Sequence, residues 1–174
     1  MTDQNTLVET ERAMRSRVTE LELDFEAAHA VSSIYRAANA VRTYVTNEVL
    51  RPVDITWTGF VVMWVVWIWD GMETRRAAEA AAISKATLTG VVKTLEARGW
   101  MEKRGRKDDR RLVELRLTPA GKALMEDLYP KFNAIESRVV RGISPTRQKA
   151  MTKSLREIVT SIEASGSGGP AEQD

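Results

Sequence analysis

Fifteen uncharged residues in a row, ITWTGFVVMWVVWIW, lie between Asp54 and Asp70, and no other stretch limits the fold so tightly. As a helix the run reaches roughly 22 Å at 1.5 Å per residue, short of the ~30 Å hydrocarbon core of a bilayer. Acidic residues bound both ends and no basic anchor follows. The run therefore reads as a core helix over about Thr56–Trp69 and not as a membrane span. Trp57, Phe60, Trp64 and Trp67 fall near one face, and Val62, Val66 and Trp69 near another. A helix apolar all round is covered on more than one side, so this one belongs at the centre of a helical core. With 174 residues, 43% of them hydrophobic and 29% charged, the chain can bury such a core.

The remaining elements are placed around it. Helical spacing of Leu7, Met14, Val18, Leu21 and Phe25 predicts a first helix over Thr6–Phe25 whose apolar stripe needs a partner surface. A second runs over about Ala27–Leu50, with Val31, Ile34, Val41, Val45 and Val49 as core positions and Pro52 as its stop. After the tryptophan helix, Asp70-Gly71 ends one element and a short alanine-rich helix spans Glu73–Ala81. Ser84 is an N-cap for a helix over Lys85–Arg98, with Leu88, Val92 and Leu95 inward and Gly99 past its end. The period then changes from 3.6 to 2. Trp100–Arg104 and the alternating Val113, Leu115 and Leu117 read as strands joined by a charged loop, Gly105–Arg111. Thr118-Pro119 and Ser144-Pro145 each begin a helix, the last carrying Met151, Leu155, Ile158 and Ile162 on one stripe. The Gly/Ser-rich tail is expected to be disordered.

The order helix, turn, helix, strand, loop, strand gives the fold class: mainly α with a small two- or three-stranded β wing, a winged helix-turn-helix, to which the family resemblance given below adds, by implication, a helical dimerisation region. The organisation expected is an N-terminal helical extension over residues 1–25, the winged domain with its dimerisation helices over 26–164, and a tail over 165–174.

Composition removes most enzymatic routes. The chain has no cysteine and one histidine, which excludes disulfides, thiolate zinc sites and a thiol nucleophile. There is no glycine-rich phosphate loop. Asp108-Asp109 is a carboxylate pair inside a basic loop, with no cluster to complete a metal site. Neither catalysis, a cofactor nor a metal is expected. The polar N-terminus lacks the apolar core of a signal peptide, which fits a cytoplasmic protein.

Charge distribution points to a polyanion. Lys85 to Arg116 holds ten basic residues against five acids, so this segment carries +5 while the chain carries +2 and the remainder −3. Each phosphate neutralised by such a surface releases counterions. In helix-turn-helix docking the second helix enters the major groove with its N-terminal residues toward base edges. Those positions hold Ser84, Lys85, Thr87, Thr89 and Lys93, with Gly90 permitting close approach; the bland alternative is the polar outside of an amphipathic helix. The loop GRKDDRR supplies Arg106, Lys107, Asp109, Arg110 and Arg111. An arginine at its tip can enter a narrow minor groove. Asp109 can orient Arg111 by a charge-assisted hydrogen bond, or it can simply form the turn.

These residues resemble the MarR (multiple antibiotic resistance) family of regulators. The shared pattern is Leu95-Glu96 with Gly99, Asp109 with Arg111, and Leu117-Thr118 with Gly121, preceded by Pro52–Thr56 ahead of a hydrophobic helix. The likeness covers about Ala27–Ala164. It implies a homodimer joined through its first and last helices, bound to a pseudo-palindromic double-stranded operator. It also implies that Arg111 is the wing-tip arginine and Asp109 its orienting partner. Two departures stand out: Ala82 occupies a position where glycine is common, and the segment before Glu26 is longer than usual.

The resemblance further implies release from DNA by a small aromatic acid or phenol, bound between the dimer helices and the DNA-binding lobe. In this chain the region contains His29, Ser33 and Arg36, which share a helix face, together with Trp57 and Trp64. Arg36 can hold a carboxylate and a tryptophan can stack on a ring; core packing explains the tryptophans equally well. Two other readings stay open: an architectural DNA-binding protein without an effector, and a protein-interaction module using the N-terminal stripe.

Overall fold

The computed structural model describes residues 7–18, 21–105 and 113–166. The chain divides into two compact units, Met1–Tyr44 and Val45–Asp174. No single helix among the described residues is long and apolar enough to cross a membrane.

The first unit contains α1 (Leu7–Arg17) and most of α2 (Phe25–Val45). The expected continuous helix to Phe25 is broken, because Asp24 serves as a cap: its carboxylate accepts the Ala27 N–H at 2.9 Å and its carbonyl the Ala28 N–H at 3.0 Å. Phe25 thus starts α2. The Arg15 guanidinium lies 5.1 Å from the Phe25 ring centre and 4.0 Å from the Glu26 carboxylate. Val31, placed in the core by spacing alone, is 46% exposed; periodicity identifies an apolar position but not whether anything in the same chain covers it. Ile34 and Val41 are half-buried.

In the second unit Val45, Val49 and Leu50 are buried. The α-helical bonding of α2 ends at Val45, before Pro52; the chain leaves it through one wide helical turn, Thr46–Leu50, and a tight one, Arg51–Val53, which contains Pro52 and closes with the Asp54 N–H donating to Arg51 O at 3.0 Å. Next comes α3 (Trp57–Ile68), capped by Thr56, whose hydroxyl accepts the Gly59 N–H at 3.0 Å. This central helix packs against α4 (Thr74–Ala80), α5 (Lys85–Ala97), α6 (Pro119–Val139) and a strand. Phe60, Val62, Met63, Val65 and Val66 are buried. The helix is covered on more than one side, as its apolar circumference predicts, but not on every side: Trp64 is 37% and Ile68 54% exposed, and Trp69, just past the helix end, 64%.

The sheet has three antiparallel strands in the order β1 (Met72–Glu73), β3 (Val113–Leu117), β2 (Met101–Gly105). Met101 pairs with Leu117 and Gly105 with Val113, while Met72 pairs with Leu115. Leu115 and Leu117 point into the core and Val113 is exposed. Glu73, assigned to a helix by sequence, instead closes β1; α4 begins one residue later. The chain ends in α6 and α7 (Pro145–Ala164), each with proline at its first position. Ser144 occupies the N-cap position of α7, but its side chain makes no capping bond. The tail from residue 167 lies outside the described residues.

Two of the short motifs now have structural reasons. Leu95 is core, Glu96 receives Lys103 Nζ at 2.7 Å, and Gly99 takes φ +71° past the end of α5. The Thr118 hydroxyl donates to Gly99 O at 2.6 Å and accepts the Gly121 N–H at 3.0 Å. A Cβ on Gly121 would overlap the Trp100 carbonyl oxygen. Threonine and glycine there fasten the start of α6 to the chain between α5 and β2.

Candidate nucleic-acid interface

The helix-turn-helix consists of α4, the turn Ala81–Ser84 and α5. Ala82 adopts φ +52°, the left-handed conformation that glycine takes without strain. The Ile83 N–H reaches Ala78 O and the Ala82 N–H reaches Glu79 O, both at 3.1 Å. These bonds satisfy the last carbonyls of α4 and turn the chain sharply. Ser84 then accepts the Thr87 N–H at 3.1 Å and opens α5.

Leu88, Val92 and Leu95 are buried beneath α5, which turns Lys85, Thr87, Thr89, Gly90 and Lys93 outward, all exposed. Ser84, included with them by sequence, has its hydroxyl committed to the cap and to Thr87 Oγ1 at 2.9 Å. The Thr89 hydroxyl donates to Lys85 O at 2.9 Å, leaving its oxygen lone pairs and its methyl outward. Lys85 and Lys93 make no ion pair among the described residues. A Cβ on Gly90 would meet nothing within 4 Å, so the helix surface there is open.

Not every cation in the +5 segment is available. Arg98 donates to the Asp54 carbonyl, lies 3.2 Å from the Asp54 carboxylate and stacks 4.1 Å from the Trp100 ring centre. Lys103 pairs with Glu96, and Arg104 with Glu102, at 2.7 Å each. Arg116 meets Glu114 at 2.9 Å, and this hydrogen-bonded carboxylate raises the guanidinium pKa. These pairs fasten the strands and helix ends. Arg76, exposed on α4 and without a partner among the described residues, is a cation that sequence inspection passed over. Its signal was its place on the first helix of the motif, which crosses the DNA backbone in such folds. Arg106, Lys107, Asp109, Arg110 and Arg111 lie outside the described residues.

A sequence profile of the MarR family matches residues 55–113. YwaE of Bacillus subtilis, an uncharacterized HTH-type transcriptional regulator, is 36% identical over 140 residues, covering 80% of this chain and 82% of that protein. The chain belongs to the MarR family. This MarR-family protein is a transcriptional regulator and not an enzyme. BpsR of Bordetella bronchiseptica, whose DNA binding is regulated by 6-hydroxynicotinic acid, has 26% identity and a TM-score of 0.67, covering 74% of this chain and 97% of its own. A cysteine-to-serine variant of E. coli MarR complexed with operator DNA shares the fold at 18% identity and a TM-score of 0.71, covering 80% of this chain and 99% of its own.

The residues named for an effector fall into two groups. Trp57 and Trp64 line a groove of about 220 Å³ between α3 and α6, with Phe60, Val61, Tyr129, Phe132 and Glu136. Phe60 stacks on Phe132 at 4.5 Å and 12°, forming its floor. Glu136, also held by Asn133 at 2.9 Å, is the one carboxylate among the described residues at the rim. His29, Ser33 and Arg36 lie on α2 in the first unit. Ser33 and Arg36 are exposed. His29 Nε2 is shielded from solvent without a hydrogen-bond partner among the described residues.

Proposed function

We propose that this MarR-family regulator is a homodimeric repressor of a pseudo-palindromic operator and releases DNA when a small aromatic ligand binds. The outward face of α5 carries the reading. It combines two lysines without an ion pair among the described residues, two threonines and an open glycine in a helix whose inner face is buried. Lysine can donate to guanine acceptors, and threonine can bond a base or touch a thymine methyl. Arg76 and Lys93 supply phosphate contacts that set register. The wing residues Arg106, Lys107, Arg110 and Arg111 reach the flanking minor groove, with Asp109 orienting Arg111. Support for the DNA and ligand parts comes from the operator complex of E. coli MarR and from BpsR, regulated by 6-hydroxynicotinic acid.

The α3–α6 groove supports a narrower ligand class. Its walls are aromatic and its rim carries Glu136, so a ring hydroxyl that donates to this carboxylate suits it better than a free carboxylate, which it would repel. Arg36 is the cation expected to serve a ligand that is an acid. His29, with its unsatisfied Nε2, and Ser33 share its helix face.

Fluorescence anisotropy with labelled DNA from the region upstream of the protein's own gene, against random competitor and across a salt series, tests the reading. Binding that survives competitor and falls on adding small phenols is the expected result. Binding abolished by competitor would point to an architectural protein instead. Arg111→Ala should weaken operator binding by roughly 1–3 kcal/mol; unchanged affinity in the folded variant would remove the wing arginine from the mechanism.

A further inference from the structure

The polar side chains of α5 differ in what their atoms are already bonded to. From Lys85 to Ala97 the helix holds no arginine, asparagine or glutamine. Its one acid, Glu96, receives Lys103 Nζ at 2.7 Å. The remaining polar side chains are two lysines and three threonines, all exposed. Asparagine and glutamine are the side chains that read adenine by paired hydrogen bonds, and lysine addresses guanine. Recognition of an A·T pair by this helix therefore falls to its threonines.

Two of the three threonine hydroxyls have their proton engaged. Thr89 Oγ1 donates to Lys85 O at 2.9 Å and Thr94 Oγ1 to Gly90 O at 3.2 Å. Each bond turns the hydroxyl back onto the preceding turn of its own helix. A threonine Cβ carries one oxygen and one methyl, so an oxygen held by the backbone leaves the methyl as the outward group. The third, Thr87 Oγ1, lies 2.9 Å from Ser84 Oγ, and either can donate. The neighbours of Thr89 let so short a side chain reach a base. Ala86 and Gly90 beside it are exposed, and a Cβ on Gly90 would meet nothing within 4 Å. Lys85 and Lys93, one turn to either side, make no ion pair among the described residues. Their long side chains can hold phosphate or guanine while the threonine sits against the base between them.

We propose that Thr89 reads a thymine in each operator half-site through its methyl group, packed against the thymine C5-methyl, and not through its hydroxyl. That C5-methyl is the one methyl group on the base-pair edges of the major groove. Two methyls in contact exclude water and need no donor. The proposal rests on the reading of α5 as the DNA-facing helix and narrows the operator to half-sites containing a thymine whose methyl is required.

Uracil tests this on the unaltered protein, because it pairs as thymine does and lacks only the C5-methyl. The probe is the upstream duplex whose binding survives competitor, with deoxyuridine placed at one thymine position at a time in both half-sites. At one position the dissociation constant should rise by about fourfold per half-site, the effect of withdrawing one methyl from apolar contact. Two full-length variants identify the partner of that methyl. Thr89→Ser keeps the hydroxyl and removes the methyl. It should bind the thymine duplex about as weakly as the unaltered protein binds the uracil duplex, and lose nothing further with uracil. Thr89→Val keeps a methyl and removes the hydroxyl; it should bind more tightly than Thr89→Ser and retain the uracil effect. Indifference to uracil at every thymine overturns the proposal. So does a uracil effect that survives in Thr89→Ser, or a Thr89→Val that binds no more tightly than Thr89→Ser. An unaltered chain that binds every duplex alike overturns the operator reading itself, a result seen before any thymine is replaced.

Discussion

A methyl group at position 82 costs this fold stability that it does not have to spend. Ala82 sits at φ +52°, where an L-residue with a Cβ is disfavoured by about 1–2 kcal/mol. The side chain is exposed, so removing it breaks no packing. Glycine gains unfolded-state freedom, which offsets about 0.4–1 kcal/mol of that. Ala82→Gly should therefore stabilise the protein by about 0.5–1 kcal/mol and raise the melting temperature by roughly 1–4 °C. Calorimetry decides it: an unchanged or lower melting temperature would mean the turn is not strained. Gly121 presents the opposite case. It has no room for a Cβ against the Trp100 carbonyl, and a backbone atom cannot swing aside as a side-chain tip can. Gly121→Ala should cost roughly 1–3 kcal/mol or more by overpacking, read as a lowered urea midpoint with unchanged slope. A midpoint equal to that of the unaltered protein would show that α6 can shift at no cost.

Among the elements, α5 separates stability from function most cleanly. Glycine inside a helix is worse than alanine by about 0.8–1.0 kcal/mol, and Gly90 lies in open space. If its purpose is to let DNA approach the helix, Gly90→Ala should stabilise the protein by about 0.5–1 kcal/mol while weakening operator binding by roughly tenfold, about 1.4 kcal/mol. A gain in stability with unaltered operator affinity would leave that glycine without a role in recognition. This helix was largely legible from sequence because its signals are local: Ser84 caps it, Leu88, Val92 and Leu95 mark its inner face, and Gly99 ends it. The alternation of Val113, Leu115 and Leu117 disclosed β3 for the same reason. The strand β1 was not legible, since Met72 and Glu73 are extended only by pairing with Leu115 and Glu114, some forty residues away. Nor was the pairing of Arg98, Lys103 and Arg104 legible as a whole, because two of those partners, Asp54 and Glu96, lie on other elements. Net charge counted those cations as available, and tertiary structure had already used them. The exposed edge of α3 escaped notice for a related reason. Composition shows that Trp64, Ile68 and Trp69 are apolar, but only the placement of α4, α5 and α6 decides which side of the helix is left uncovered.

For the molecule as a whole, one cluster ties the end of the central helix to both the wing and α6, and it titrates. Asp70 follows α3 at φ +46° and receives Lys122 Nζ from α6 at 2.6 Å, with Arg116 of β3 at 3.9 Å. The Lys122 hydrogen bond and charge, aided by Arg116, hold the Asp70 carboxyl below its ordinary value. A carboxyl with a depressed folded pKa binds its proton more readily in the unfolded chain. Its contribution to stability is therefore present above the unfolded value, about 3.9, and is lost as pH falls through the lower, folded one. Asp70→Asn isolates that charge, because asparagine tolerates the left-handed conformation as well as aspartate does. The variant should unfold at lower urea than the unaltered protein at pH 7, by a modest margin given the exposure of the site. The gap should narrow below about pH 4 and close where Asp70 is protonated in both states. A difference that stays constant from neutral to strongly acidic pH would assign the effect to side-chain packing and deny the ion pair a part in holding α3, β3 and α6 together.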